Sequence, residues 1–251
     1  MYSSLNIYDQ QLAIKPNTVA SPNAAFQRMA VFWPLIEDLK EGSYKIKSKH
    51  RKYLFPEPRE STESYDARLN RSTVVPFMQR IEKMLAGMLM RKPVRLDDTS
   101  DLVREQLFDV DLEGNDLNIW LYQTARTVIS FGHVGVLVDA PREGSKARPY
   151  WVTYKPSDIL GWRTEIIDGV RELIQVRLLE NVVEPDGQYG EKSITQIRVL
   201  ERGRFELHRK SEKTGKFELY EEGEMSLKDK IPFSVAYSNR TGFFESRSPL
   251  Y

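Results

Sequence analysis

Residues 73–96 read TVVPFMQRIEKMLAGMLMRKPVRL, and the assignment of the neighbouring segments depends on how this stretch folds. Val74, Phe77, Met78, Ile81, Leu85, Met88 and Leu89 recur at the spacing of one helical face. Gln79, Arg80, Glu82 and Lys83 fall on the other face, so the pattern predicts an amphipathic surface helix. Ser72 or Thr73 is suited to cap its start, Pro76 is tolerated in a first turn, and Pro93 disfavours helical geometry at Lys92. The helix is therefore expected to end near Arg91. Burying seven such side chains is worth roughly 10 to 20 kcal/mol gross, against about 1 to 2 kcal/mol for each ordered backbone residue. A helix of this kind needs a partner surface.

Working outward, Ser21 and Pro22 signal a helix through about Lys40, with a kink or break at Pro34 and Gly42 behind it. Residues 1–20 read as an irregular arm. The run KIKSKHRK (45–52) reads as a basic loop, FPEPRES as an extended connection, and TESYDARLNR as a short helix after Ser61. Beyond residue 96, DDTS (97–100) caps a short helix to about Phe108. Asn115 or Asp116 then opens LNIWLYQTARTVISF, whose wide apolar face predicts a largely buried helix closed by Gly132.

At His133 the period changes from helical to alternating. HVGVLVDAP and YWVTYKP read as a hairpin or two neighbouring strands around the turn REGSKARP, and ILGWR follows the PSD turn at 156–158. From Gly169 onward VRELIQVRLLENV, SITQIRVLE, RGRFELHRK and FELYEEG form a predicted four-strand meander with one face buried and the other wet. KIPFSVAY (230–237) is a last strand. Ser248 and Pro249 form a helix-start signal near the end of SNRTGFFESRSPLY. The expected fold is α+β, a helical part at 21–131 followed by a β-rich, mostly antiparallel part at 132–240, with 241–251 beginning a further segment.

Composition narrows the function classes. The 251 residues hold 37 Lys and Arg against 36 Asp and Glu, so no global field draws the chain to nucleic acid or membranes. With no cysteine there is no disulfide, thiolate nucleophile or Cys-ligated metal, which fits a reducing compartment. No signal pattern opens the chain and no run approaches 18 apolar residues, so a soluble protein without membrane attachment is expected.

Phosphate-binding glycine loops, a nucleophile elbow and the HExxH helix are all missing, and His50, His133 and His208 share no ligand spacing. Three constellations remain. Asp139 at a strand end, with Asp158 and Glu165, offers a carboxylate set for a divalent metal. Against this, Asp139 opens a turn before Pro141 and Asp158 starts the PSD turn, and that plainer reading is preferred. Lys45, Lys47, Lys49, Arg51 and Lys52, with His50 and flanking Tyr44 and Tyr53, have the density for nucleic-acid contact, although Glu57, Glu60 and Glu63 lie near enough to neutralise them. Met78, Met84 and Met88 concentrate on the 73–96 helix, where methionine suits either core packing or an adaptable subunit contact.

The order of elements carries more information than any of these. A helix ending in Arg91-Lys92-Pro93, a buried helix running into Gly132–Asp139, then Tyr154, Pro156, Asp158, Ile159, Leu160 and Trp162 in PYWVTYKPSDILGWR, and finally IPFSVAYSNRTGFFESRSPLY together resemble the portal proteins of tailed bacteriophages. The resemblance runs from about residue 50 onward and rests on structural motifs without a catalytic signature. It implies a non-enzymatic, cofactor-free subunit of a ring, typically dodecameric, at the unique capsid vertex, through which double-stranded DNA is packaged and ejected. It further implies terminase, the head-to-tail adaptor, and major capsid and scaffold proteins as partners, with the protein assembled in the host cytoplasm and carried in the virion. Because family members continue into further long helices beyond the point matching Tyr251, the resemblance assigns these residues mainly to the wing-like body. The alternatives from other classes are a nucleic-acid-binding adaptor module using residues 45–52 and a metal-dependent hydrolase using Asp139, Asp158 and Glu165.

Overall fold

The computed structural model describes residues 18–139 and 148–250, so nearly all of the arm expected at 1–20 and most of the turn expected at 142–149 lie outside the described residues. The fold is α+β, with helices in the N-terminal half and antiparallel strands after them.

The predicted first helix is two: α1 (Ala24–Ala30), capped by the Asn23 side chain on the Phe26 amide, and α2 (Trp33–Glu41), with Pro34 in its first turn. The break falls just before Pro34, where the ring cannot follow a preceding helical turn. Gly42 then adopts φ +64°, and the segment expected as a basic loop is instead α3 (Ser43–Ser48) followed by a 3-10 turn at His50–Lys52. The sharp Gly42 corner lets Ser43 accept from the Val74 amide (2.8 Å) and donate to its carbonyl (3.0 Å), which ties this segment to the strand-like approach of the next helices.

Helix α4 (Thr62–Arg71) is capped by Ser61, α6 (Asp101–Gln106) by Ser100 and α7 (Leu117–Phe131) by Asp116, each side chain accepting an amide hydrogen three residues on. The helix expected from Thr73 is shorter: α5 spans Phe77–Leu89, begins at Pro76 without a side-chain cap, and leaves residues 72–76 outside any helix or strand. Ser72 is used instead to terminate α4, its hydroxyl donating to Leu69 O (2.7 Å).

Two sheets follow. β1 (His133–Asp139) is central in a three-stranded antiparallel sheet, between β2 (Tyr150–Tyr154) and β8 (Phe233–Tyr237). The second sheet is a five-strand meander in sequence order: β3 (Ile159–Ile167), β4 (Val170–Asp186), β5 (Gly190–Glu201), β6 (Arg204–Lys210) and β7 (Phe217–Glu224). A short ribbon of β9 (Arg240–Gly242) and β10 (Glu245–Ser246) ends the described chain.

Period-two alternation divides the meander's side chains between two cores. Val176, Leu178 and Leu200 pack with Leu137, Tyr154 and Phe233 of the smaller sheet. Ile197 and Val199 face the other way and pack with Phe26, Trp33, Ile36 and Phe131 of the helices. The expectation of one buried and one wet face is therefore corrected over β4 and β5, which are covered on both sides, while β7 stays exposed at the edge. Gly135 is required where Phe233 crosses β1, since a Cβ there would lie 2.3 Å from the ring.

Candidate assembly interface

Helix α5 lies against α2 and α7, and its orientation differs from the one its apolar pattern predicts. The face toward the protein carries Met78, Leu85, Ala86 and Glu82, the last two fully buried. The stripe Phe77, Ile81, Met84, Met88 and the adjacent Leu89 point to solvent, each between 39 and 69% exposed. At about 100° per residue, the buried face is roughly a third of a turn from the most apolar one.

The cause is a charge network that spans distant parts of the chain. Lys40 from α2 (2.6 Å) and Arg126 from α7 (2.7 Å) both contact the Glu82 carboxylate, and the buried Ser130 hydroxyl donates to it at 2.5 Å. Burial pushes the Glu82 carboxyl up, but the bonds from Lys40, Ser130 and Arg126 more than offset this and hold it below the usual carboxylate range. Turning α5 to bury its stripe would expose Ile81 to that pocket and leave two cations without a partner. The network fixes the helix's rotation in the way a single buried polar group sets coiled-coil register.

The stripe amounts to an apolar area on the order of 500 Å², the size of the largest patch on a typical monomer, which is often a functional one. It continues through the exposed Val94 and Leu96 of the irregular exit segment, which is held to α7 by the Val94 amide donating to Asn118 Oδ1 (3.1 Å). Of the methionines named from sequence, Met84 and Met88 lie on this outward stripe. Met78 packs inward with the helices and the larger sheet.

The basic run at 45–52 is folded into the protein's own structure. Asp38 is buried and accepts from Lys49 (2.5 and 2.6 Å) and the Tyr53 hydroxyl, with Lys52 at 3.6 Å. Burial pushes the Asp38 carboxyl up, and these partners more than reverse it. Lys47 donates to Asn70 O (2.8 Å), Lys45 faces Glu41 (3.9 Å), and Arg51 sits over the Tyr65 ring. The neutralising carboxylates expected from sequence are engaged elsewhere in the case of Glu60, which takes Arg68 at 2.6 and 2.8 Å and is pulled to about 2.

The carboxylates suggested as a metal set are likewise placed apart in role. Asp139 accepts from Arg198 (3.1 Å) and the Tyr150 hydroxyl (3.3 Å), while Arg198 also holds Glu180 (2.7 Å). Asp158 sits in the turn after β2, where burial raises its carboxyl and Ser157 donates to it at 3.2 Å. Glu165 is exposed on β3, opposite Glu172. Among the described residues, no cluster of three His, Asp or Glu side chains is arranged to hold a metal. No protein-family model matches this chain, and no curated protein matches it.

Two further features were outside the reach of sequence reasoning. His133 is buried with Nδ1 lacking a hydrogen-bond partner among the described residues, and burial pushes its imidazole down to about 4. Serines of the last described segment close the end of α7: Ser246 (2.6 Å) and Ser238 (2.9 Å) donate to Gly132 O, and Ser248 donates to Ile129 O (2.8 Å). Ser248, expected to start a helix, also accepts from the Leu250 amide (3.0 Å), and its donor is committed to α7. The signal at Ser248-Pro249 is thus used as a lock on an earlier helix terminus.

Proposed function

We propose that this chain is the structural subunit of a homo-oligomeric portal ring at the capsid vertex of a tailed bacteriophage, contributing to the conduit for double-stranded DNA and to the docking body for terminase and head-to-tail adaptor. The observation that carries the reading is the outward apolar stripe of α5, held in that orientation by the buried Glu82 network. A monomer gains nothing by directing buried charge inward and an apolar face outward, whereas a subunit whose final environment includes another protein surface does. The Arg91-Lys92-Pro93 exit, the Gly132–Asp139 strand and the Tyr154–Trp162 segment supply the family likeness, and they sit respectively at the end of that helix, at the centre of one sheet and at the junction between the two sheets.

A nucleic-acid-binding module built on residues 45–52 is the less favoured reading, because Lys47, Lys49 and Lys52 already serve internal acceptors. The deciding experiment is electron microscopy with mass measurement of the full-length protein. Rings with a central opening are the expected outcome. A monodisperse monomer over a range of salt and protein concentrations would remove the proposal.

A further inference from the structure

The surface that receives the α5 stripe can be argued from charge. Arg80, Lys83, Arg91 and Lys92 border the stripe and its exit, and none of them is in an ion pair among the described residues. Two copies meeting stripe to stripe would bring these like charges together, which costs energy at a desolvating contact. The partner surface must be apolar and carry the opposite sign.

The chain offers such a surface immediately downstream. Around α6, Leu102, Val103 and Phe108 are exposed. Asp97, Asp98, Asp101 and Glu105 lie in the same short segment with no ion-pair partner among the described residues, against Arg104 within it and Arg95 just before it. The other acidic strip, on β7, is already engaged within the molecule: Glu224 with Lys228, Glu222 with Arg204, and Tyr220 under Arg209.

Resting on the ring reading above, we infer that the α5 stripe of one subunit docks on the Asp97–Phe108 segment of a second copy of this chain, basic rim against acidic rim. The contact is heterologous: each subunit presents one basic apolar face and one acidic apolar face, so every copy is left with a free site of each kind until a ring closes. The stripe's area, on the order of 500 Å², is more than half of the roughly 800 Å² per partner found in a standard interface, which makes it the centre of the contact rather than the whole.

The absence of native cysteine makes the test direct. Met84→Cys and Leu102→Cys each alter an exposed side chain, and the full-length protein carrying both is treated with a short bismaleimide cross-linker. A ladder extending past dimer is expected from the double variant, with at least tenfold less product from either single variant. Met84→Cys cross-linking to itself would overturn the inference in favour of stripe-on-stripe pairing. Complete rings by microscopy without an 84–102 cross-link would overturn this contact and leave the ring reading standing. A ladder ending at dimer would show reciprocal, closed pairing and would overturn both the heterologous contact and the ring.

Charge exchange gives an independent check. Arg80→Glu/Lys83→Glu and Asp101→Lys/Glu105→Lys should each abolish assembly alone, and an equimolar mixture should recover assembly with the two variants alternating, since one junction is unaltered and the other has both charges exchanged. Combining all four changes in one chain should restore assembly. Either double variant assembling as the parent protein does would refute the pairing.

Discussion

Replacing Glu82 with leucine tests the account of α5 most directly. The substitution removes the sole carboxylate from a point where Lys40, Arg126 and the buried Ser130 hydroxyl converge. Breaking a buried pair by deleting one partner costs about 3 to 5 kcal/mol. The two cations keep 21 and 30% of their side chains in contact with solvent, so each can recover part of its hydration, which places the loss near the lower end, at about 3 kcal/mol. For a chain of this length that corresponds to a fall in melting temperature of roughly 6 to 12 °C. Urea unfolding followed by circular dichroism, at one fixed protein concentration because assembly would add its own stabilisation, measures it. The Glu82 carboxyl is depressed in the folded state, so its contribution is present above the unfolded value of about 4.3 and is lost as pH falls through the lower folded value. Glu82→Gln should therefore flatten the acid limb of the stability profile. A loss below about 1 kcal/mol for Glu82→Leu would mean that hydrophobic packing at Ala86 and Leu85, and not the charge network, orients the helix.

Two other predictions concern the end of α7. The His133 imidazole is held at about 4 against about 6.5 when unfolded, so the folded state loses stability as pH falls below 6.5, by roughly 2 kcal/mol between pH 7 and pH 5. His133→Phe should abolish that slope in urea titrations at the two pH values; an unchanged slope would assign it to another group. Gly132 adopts φ +95° with Arg247 backbone 2.9 Å from where a Cβ would stand, so Gly132→Ala should cost at least about 2 kcal/mol, whereas Gly114→Ala, also at positive φ but in open space, should cost less. Equal losses at the two glycines would show that the contact with Arg247 contributes nothing.

Local signals were readable wherever cause and effect lie within a few residues. The side-chain caps at Ser61, Ser100 and Asp116, the break before Pro34, the Gly132 terminus and the alternating strands of the meander all follow from short-range chemistry. The rotation of α5 was not readable, because the apolar pattern of residues 77–89 carries no trace of Lys40 or of Arg126 and Ser130, which lie 42 residues before and 44 and 48 residues after Glu82. A glutamate on the polar side of an amphipathic pattern looks solvated until its partners are placed. The helical fold of the basic run was not readable for the same reason: the acceptor of Lys49, Asp38, sits in the preceding helix, and the Gly42 corner brings the two together. What the sequence offered for the interface was composition, three methionines, three large aliphatic residues and a phenylalanine on one helix, without the information of which of them the protein's own core would take.

The central position of β1 has a consequence for how the protein is made. Its second neighbour, β8, pairs Leu137 with Phe233, so the whole meander is synthesised between them. At about 5 to 20 residues per second, the apolar strand HVGVLVD has one unpaired edge for several seconds on the ribosome, while β3 to β7 can zip up neighbour by neighbour. An open apolar edge of this kind recruits other strands. The nascent chain is thus most vulnerable to pairing with the wrong copy of itself before β8 emerges, and the same arrival that seals the edge brings in the serines that finish α7.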